Sequence, residues 1–255
     1  MFDLMKIQNI HNLSDENTIY NKRGFCVVKN FINHDEIKKI LFCLNEIIEL
    51  LKDNGDEGSY INYADRDKKI VNSIHRLNEL NHKELNDIVL RNNFQDLAEY
   101  LVNEKCTLFS MQAFLKPSGG GLPTPAHQDN AYWCHEGNGG LTLWVSLDKA
   151  GSFNSMMKFA ENSNNELIEH ISSINTPGSS LIIPDEKLKN YNWVQPELNQ
   201  GDISVHDGLV VHYSQKNNSS FKRRGFLLNY RPVSCKKNKN KFDQYLEKLE
   251  KIYDR

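Results

Sequence analysis

The first strong pattern of apolar positions along the chain has the period of an α-helix. Over residues 37–51, apolar side chains recur at every third or fourth position and are interleaved with charged ones. This spacing is typical of a helix with one buried face. Asn33, followed three residues later by Glu36, is an N-cap signal just before the stretch.

The N-terminal part, residues 1–104, is therefore predicted to be mainly helical. Apolar positions in residues 83–103 add two short helices, and an apolar run at residues 24–29 adds a short strand. Residues 59–82 follow neither period and are predicted to be irregular.

After residue 105 the pattern changes from a helical period to alternation. In residues 107–116, apolar side chains alternate with largely polar ones, namely Met111, Ala113 and Leu115 with Ser110, Gln112 and Lys116. In residues 141–147, the leucines and Val145 share one face, and the other face carries Thr142, Trp144 and Ser146. Alternation predicts strands with one face in a core. The polar face of the first strand could line a ligand-binding interior or face solvent, and both remain open.

Further short strands are expected at residues 156–160, 179–184, 202–206, 210–213 and 224–231. Many short strands without alternating helices favour a jelly roll or barrel over a parallel α/β fold. The chain is thus predicted to be a single, mainly β domain with flanking helices. Its β core spans residues 105–232, and a C-terminal helix lies within residues 233–255.

The C-terminal helix has an apolar stripe of its own, formed by Phe242, Tyr245, Leu246, Leu249, Ile252 and Tyr253. Such a stripe must be covered by another surface. We expect the helix to dock either on the N-terminal helices or on a partner chain.

Composition limits the classes of partner. The 255 residues include 31 Lys and Arg against 33 Asp and Glu, a net charge of −2, which gives no overall attraction to nucleic acid or anionic membrane. The five cysteines form no Cys-X-X-Cys pair and predict reduced thiols. No apolar run is long enough to span a bilayer. We therefore expect a cytoplasmic monomer or homodimer that binds neither nucleic acid nor membrane.

Candidate chemistry begins at residues 124–133, an extended stretch with His127 and Asp129 two positions apart. In a strand, side chains at i and i+2 leave the same face. One imidazole and one carboxylate on one face supply two of the three protein ligands of the 2-His-1-carboxylate site of non-haem iron. The third would be a later histidine, and His206 and His212 both qualify. An arginine, Arg223, follows His212 by eleven residues.

Together these motifs resemble the phytanoyl-CoA dioxygenase-like (PhyH) family of Fe(II)- and 2-oxoglutarate-dependent oxygenases. The resemblance implies a double-stranded β-helix core. It also implies that Fe(II) is held by His127, Asp129 and His212, and that Arg223 binds the far carboxylate of 2-oxoglutarate. The other residues predicted to bind 2-oxoglutarate are Ser214, Gln112 and Trp144.

The activity implied by the resemblance is hydroxylation of a small polar metabolite or biosynthetic intermediate by O2, with release of succinate and CO2. The residues predicted to contact this substrate are Trp133, Tyr132 and Lys116. Relatives carry Asn-Gly and then Pro-Gly-Ser-His where this chain has Asn154-Ser155 and residues 161–164, so the resemblance does not select a substrate.

Two other functions remain open from the sequence. One is a jelly-roll binding module without catalysis, and the other is a cupin-type metalloenzyme that does not use 2-oxoglutarate. Arg223, at its spacing from His212, argues against both.

Overall fold

A computed structural model of the protein describes residues 13–137, 139–173 and 179–253. The helices in these residues are α1 (Ser14–Arg23), α2 (His34–Asp53), α3 (Glu57–Tyr60), α4 (Lys83–Arg91), α5 (Phe94–Val102), α6 (Asn130–Trp133) and α7 (Lys239–Tyr253). The strands are β1 (Phe25–Val28), β2 (Ile61–Asp65), β3 (Ile70–Ile74), β4 (Cys106–Lys116), β5 (Thr124–His127), β6 (Leu141–Ser146), β7 (Lys158–Ala160), β8 (Ile171–Ser172), β9 (Leu181–Ile182), β10 (Trp193–Val194), β11 (Ile203–Asp207), β12 (His212–Ser214) and β13 (Arg223–Pro232).

Two antiparallel sheets form the centre of the fold. The larger has seven strands in the order β1-β11-β6-β13-β4-β3-β2, and the smaller has four in the order β10-β7-β12-β5. A separate pair, β8-β9, lies beside them. Neither sheet closes on itself, and sequence-distant strands are neighbours. The predicted mainly β fold with flanking helices is confirmed.

The large sheet has one face in the core and one face toward a cavity. The core face packs against the N-terminal helices through buried side chains that include Leu143, Val145, Phe226, Leu228, Ile37, Ile40 and Leu44. Helix α2 begins where predicted, because the Glu36 backbone N–H donates to Asn33 Oδ1 at 2.9 Å. The opposite face meets the small sheet, and a cavity of about 990 Å³ lies between them.

The alternation along β4 and β6 has its predicted structural meaning. Met111 and Ala113 of β4 are in the core, whereas Ser110 and Gln112 line the cavity. The polar face of β4 therefore faces inward rather than toward solvent. On β6, Trp144 lines the same cavity.

The prediction that residues 59–82 are irregular is wrong. They form α3, the hairpin β2-β3 and a short 3₁₀ helix, and β3 extends the large sheet by pairing Ser73 with Phe114 and Ile74 with Ala113. Asn72 and Ser73 are buried although they are polar. The strand therefore lacks an apolar alternation, and its pairing with the long strand β4 determines its conformation.

Helix α7 does not dock on the N-terminal helices, one of the two surfaces predicted for it. It packs on α6 and β8 of the same chain, with the Tyr245 ring 5.9 Å from that of Tyr132. Tyr245 and Leu249 line the cavity, so the apolar stripe of α7 forms part of the cavity wall. The side chains of Ile252 and Tyr253, which belong to the predicted stripe, lie outside the described residues.

Other expectations from composition can also be compared with the structure. All five cysteines are buried free thiols, as the sequence predicts. In the described part of the chain, no helix is both long enough and apolar enough to cross a bilayer.

Candidate active site

Three potential metal ligands converge where β5 and β12 pair. His127 ends β5 and lies directly opposite His212, the first residue of β12, and Asp129 follows His127 by two residues. Asp129 Oδ1 lies 3.5 Å from His127 Nε2 and 3.8 Å from His212 Nε2. The ligand atoms of the three residues lie within 4.8 Å of one another. The small sheet thus brings together two imidazoles and a carboxylate around one point.

The hydrogen bonds of His127 and His212 fix their tautomers. His127 Nδ1 lies 2.8 Å from the Pro125 carbonyl oxygen, and His212 Nδ1 lies 3.0 Å from that of Val210. A carbonyl oxygen only accepts, so each Nδ1 carries the proton and each Nε2 presents a lone pair. Burial also lowers the pKa of His212 well below its ordinary value. Both rings therefore direct Nε2 toward Asp129 Oδ1, where it can serve as a metal ligand.

Asp129 is oriented by hydrogen bonds to its other oxygen. Thr142 Oγ1 donates to Oδ2 at 2.6 Å, and His206 Nε2 donates to it at 3.2 Å. Burial by itself raises the pKa of Asp129, but the adjacent imidazoles of His127, His206 and His212 outweigh it and hold that pKa well below its usual range. The carboxylate is therefore ionised, with Oδ1 directed toward His127 and His212.

Hydrogen bonding also distinguishes His206, the alternative third ligand, from His212. Its Nε2 must carry a proton because the carboxylate of Asp129 only accepts. Its Nδ1 is buried and has no hydrogen-bond partner among the described residues. His206 therefore lies beside Asp129 as a donor, outside the three-residue group.

A chain of hydrogen bonds links Asp129 to the β2-β3 hairpin. Thr142 gives its one proton to Asp129 and accepts from Asn229 Nδ2 at 2.7 Å. Gln112 Nε2 donates to Asn229 Oδ1 at 3.4 Å, and its Oε1 lies 2.9 Å from His75 Nδ1. Burial lowers the pKa of His75 and keeps its ring neutral. Both ends of the Gln112 amide are thus engaged in the cavity wall.

At the inner end of the cavity lies Arg223, the first residue of β13. Its side chain is buried, and neither Nε nor Nη1 finds a partner in the part of the chain that the structure describes. The guanidinium carbon lies 5.5 Å from the Trp144 ring centre. Burial lowers the Arg223 pKa to about 10, so the group stays charged at neutral pH.

The neighbouring residues explain why only one arginine reaches this place. Arg224 points to the opposite side of β13, where it donates to both carboxylate oxygens of Asp148 at 2.9 and 2.7 Å.

Two positions after Arg223, a Cβ on Gly225 would lie 2.1 Å from the Trp144 ring. Glycine is needed there because the Trp144 ring lies flat across the strand.

Lys116 is predicted from the sequence to contact substrate, but the structure places it beside Arg223. The two residues are cross-strand partners. Lys116 is fully buried, and its Nζ donates to Ser214 Oγ at 2.7 Å and to the Gln215 carbonyl oxygen at 3.0 Å. Burial, and then the charge of Arg223, lower its pKa to about 5. Ser214 and Arg223 line the cavity, and Lys116 lies behind this wall, hydrogen-bonded to Ser214.

The cavity wall nearest the three ligands is aromatic. Tyr132 and Trp133 line it, as expected from the sequence, and Phe109 packs edge-on against Trp133 with ring centres 5.1 Å apart. Tyr245 adds a ring from α7. Phe109 and Tyr245 are missed from the sequence. Phe109 lines the cavity next to Ser110 because the pairing of β4 with β13 shifts by one residue at this point, which breaks the alternation.

The segment that departs from the family pattern has structural roles. Ser155 adopts a left-handed conformation, with φ 62°, where a glycine would be unstrained. The buried Asn154 amide donates to the carbonyl oxygens of Lys149 and Lys222. Ser163 Oγ accepts from the Val211 backbone N–H at 2.8 Å, next to His212.

Comparison with known proteins agrees with this geometry. The model of the phytanoyl-CoA dioxygenase (PhyH) family matches residues 20–225. A probable alpha-ketoglutarate-dependent hypophosphite dioxygenase of Stutzerimonas stutzeri is 22% identical over 218 residues, which cover 83% of this chain and 76% of the relative. A 2-aminoethylphosphonate dioxygenase of the uncultured bacterium HF130_AEPn_1 is 22% identical over 241 residues, 93% of this chain and 88% of the relative.

A solved structure shows the shared fold. The non-heme alpha ketoglutarate dependent carbocyclase SnoK from nogalamycin biosynthesis superposes with a TM-score of 0.72 at 20% identity, covering 94% of this chain and 92% of that one. The predicted jelly-roll core is confirmed by this likeness. The family match spans most of the chain, from α1 to β13. The chain therefore belongs to the phytanoyl-CoA dioxygenase (PhyH) family, as its sequence motifs indicated, and is an enzyme of the Fe(II)- and 2-oxoglutarate-dependent dioxygenase class.

Proposed function

We propose that the protein hydroxylates a small polar metabolite or biosynthetic intermediate, with Fe(II) held by His127, Asp129 and His212 and with release of succinate and CO2. The observation that carries the proposal is the combination, in one cavity, of this ligand set with the buried Arg223, whose Nε and Nη1 have no hydrogen-bond partner among the described residues. The three ligands need a metal ion, and Arg223 needs an anion. A 2-oxoglutarate molecule bound to the metal ion would place its far carboxylate at Arg223.

The donor set fits Fe(II). His127, Asp129 and His212 would hold the ion through two imidazoles and one carboxylate, a donor set that leaves coordination positions open for a 2-oxo acid and O2. When bound, the iron supplies the activation of O2 that oxidises an unreactive C–H bond. The chain's own part is to fix the three donors, and Thr142 and His206 do this for the carboxylate by holding Oδ2.

The donors at the inner end fit 2-oxoglutarate. A buried guanidinium without acceptors is costly, and a carboxylate matches its planar fork with two parallel hydrogen bonds. Ser214 lies at this end of the cavity and accepts a hydrogen bond from Lys116. The Trp144 ring lies against one side of the Arg223 guanidinium. Gln112 supports Asp129 through Asn229 and Thr142. A binding module or a metalloenzyme that does not use 2-oxoglutarate has no need for this buried Arg223, which argues against both alternatives.

We place Tyr132 and Trp133 against the substrate, because they line the cavity next to the three ligands. The relatives named for hypophosphite and 2-aminoethylphosphonate support a small polar molecule. Lys116, in contrast, serves the 2-oxoglutarate end of the cavity. A cytoplasmic location and a monomeric or homodimeric state stay predictions.

The experiment that tests the function uses purified protein, 2-oxoglutarate and a metabolite extract. We expect succinate to form only when Fe(II) and O2 are both present, together with one extract component that gains an oxygen atom by mass spectrometry. Succinate formation that does not need iron would contradict the proposal. An extract in which no component increases succinate formation would also contradict the proposal.

Lys116 is expected to make 2-oxoglutarate binding depend on pH. With its pKa lowered to about 5, the amine is neutral in the free protein at neutral pH. A bound dianion favours the charged amine, so binding takes up a proton. Affinity should therefore rise as pH falls toward 5, by at most about tenfold per pH unit, and level off below the pKa of the free protein.

Proton uptake can be measured by anaerobic calorimetric titration of the iron-loaded protein in two buffers of different ionisation enthalpy. The apparent heat of binding should differ between the buffers for the wild type and for Lys149→Met, which replaces an exposed lysine. It should be the same in both buffers for Lys116→Met. Equal heats in the wild type would refute this role of Lys116.

A further inference from the structure

Two arginines lie where the β2-β3 hairpin borders the cavity. Arg66 follows the end of β2, and Arg76 lies just after β3. Both side chains line the same cavity as the three metal ligands and Arg223. Neither is part of the iron or 2-oxoglutarate sites proposed above.

Arg76 is held in place rather than free in solvent. Its guanidinium stacks on the Tyr60 ring at 4.5 Å, and its Nη2 donates to the Ser59 carbonyl oxygen at 3.1 Å. Its backbone is left-handed, with φ 56°, a conformation that is unfavourable for a residue with a Cβ and is often kept at binding sites. The arginine head is therefore preorganised at the cavity wall.

The nearest acid does little to neutralise it. Glu79 Oε2 lies 3.6 Å from Arg76 Nη1, and the two side chains are 48% and 49% exposed. An ion pair this exposed is strongly screened by water. For Arg66, the structure of the described residues contains no ion pair.

The charges of the cavity do not balance without a further anion. Asp129 is the one carboxylate among the described residues that line the cavity, and its charge faces the metal. Arg223 is matched by one carboxylate of 2-oxoglutarate. Arg66 and Arg76 then remain without an acidic partner in the lining, and a recess lined by one sign of charge attracts the opposite sign.

The wall near the iron ligands has the opposite character. Phe109, Tyr132 and Trp133 present aromatic surface there, and Tyr245 adds to it from α7. The cavity volume, about 990 Å³, is at the upper end of the range for sites that enclose a drug-sized ligand. A substrate can therefore contact the aromatic wall and the hairpin arginines at the same time.

We propose that the substrate is an organic anion whose carboxylate, phosphate or sulfate group is bound by Arg76, with Arg66 adding to the attraction, while its apolar body lies against the aromatic wall. This proposal rests on the proposed function, since it assigns a substrate class to the same cavity.

The first test separates the metabolite extract on a strong anion-exchange resin at neutral pH. The iron-loaded enzyme is incubated with 2-oxoglutarate and either the retained, anionic fraction or the unretained, neutral and cationic fraction. We expect the component that gains oxygen in the retained fraction. Such a component in the unretained fraction alone would overturn the anionic class and leave the proposed function intact. No oxygenated component in either fraction would contradict the proposed function itself, and this proposal with it.

The second test uses variants with the substrate found in the retained fraction. Arg76→Gln should raise KM about tenfold, the loss expected for one hydrogen bond to a charged group, with little change in kcat. Arg76→Lys should recover part of the loss because it restores the charge. Arg91→Gln is the control, since Arg91 pairs with Glu36 outside the cavity, and its KM should match the wild type. An unchanged KM in the double variant Arg66→Gln/Arg76→Gln would overturn the proposal.

Discussion

Asp129→Ala is expected to abolish both iron binding and turnover. The variant removes the one negative ligand from a site whose other two donors are neutral imidazoles. It also leaves the protons of Thr142 and His206, which now point at Oδ2, without their acceptor. Anaerobic titration with Fe(II), followed by measurement of succinate, would check both effects. Full activity in this variant would refute the assignment of the iron site.

Variants of the supporting residues should give a graded series. Thr142→Val is isosteric and leaves the carboxylate in place with one hydrogen bond fewer, so iron affinity should fall about 10- to 100-fold, as is usual for residues that orient a metal ligand. His206→Ala should still bind iron, because His206 Nε2 is a proton donor and not a ligand. If His206→Ala loses iron completely and His212→Ala keeps it, the third ligand is His206.

Arg223→Ala is expected to weaken 2-oxoglutarate binding by about 30-fold or more, the cost of removing one partner from a buried charge pair. Iron affinity should change little, because Arg223 is not among the three ligands. The KM for 2-oxoglutarate and anaerobic calorimetric titration both measure the effect.

Arg224→Ala is the matched control for Arg223→Ala. Arg224 lies one residue away on the outer side of β13 and pairs with Asp148. Its loss should lower thermal stability slightly and leave 2-oxoglutarate affinity unchanged. The opposite result, with weakened binding in Arg224→Ala alone, would mean that the wrong arginine has been placed in the cavity.

The faces of the long strands could be predicted from the sequence because their periodicity is local. Along β6 and residues 110–116 of β4, every second residue enters the core, and Trp144 falls on the cavity face for that reason alone. The contrast between Arg223 and Arg224 follows from the same rule. His127 and Asp129 are close in sequence, but the stretch 124–133, predicted to be extended, is a strand only as far as His127. Asp129 has helical dihedral angles, φ −57° and ψ −36°, directly before α6.

Other features depend on contacts between distant parts of the chain. The β2-β3 hairpin has polar residues on a buried face, so its strands become apparent only once β4 lies beside them. The period of β4 places Lys116 on the inward face, but its direction toward Ser214 depends on β12, far along the chain. His206 and His212 are both histidines in the last part of the β core. Only their hydrogen-bond partners show that Nε2 of His206 donates a proton, whereas Nε2 of His212 presents a lone pair.

Helix α7 contributes to the cavity separately from the elements that carry the metal ligands and Arg223. The metal ligands lie on or next to strands of the two sheets and Arg223 lies on β13, whereas Tyr245 and Leu249 reach the cavity from a helix that packs mainly on α6 and β8. Substitutions in this one helix can therefore change the part of the cavity wall that it forms, while the residues proposed to bind iron and 2-oxoglutarate stay the same. A chimera that carries the corresponding helix of a relative would be a direct route to altered selectivity with iron and 2-oxoglutarate binding intact.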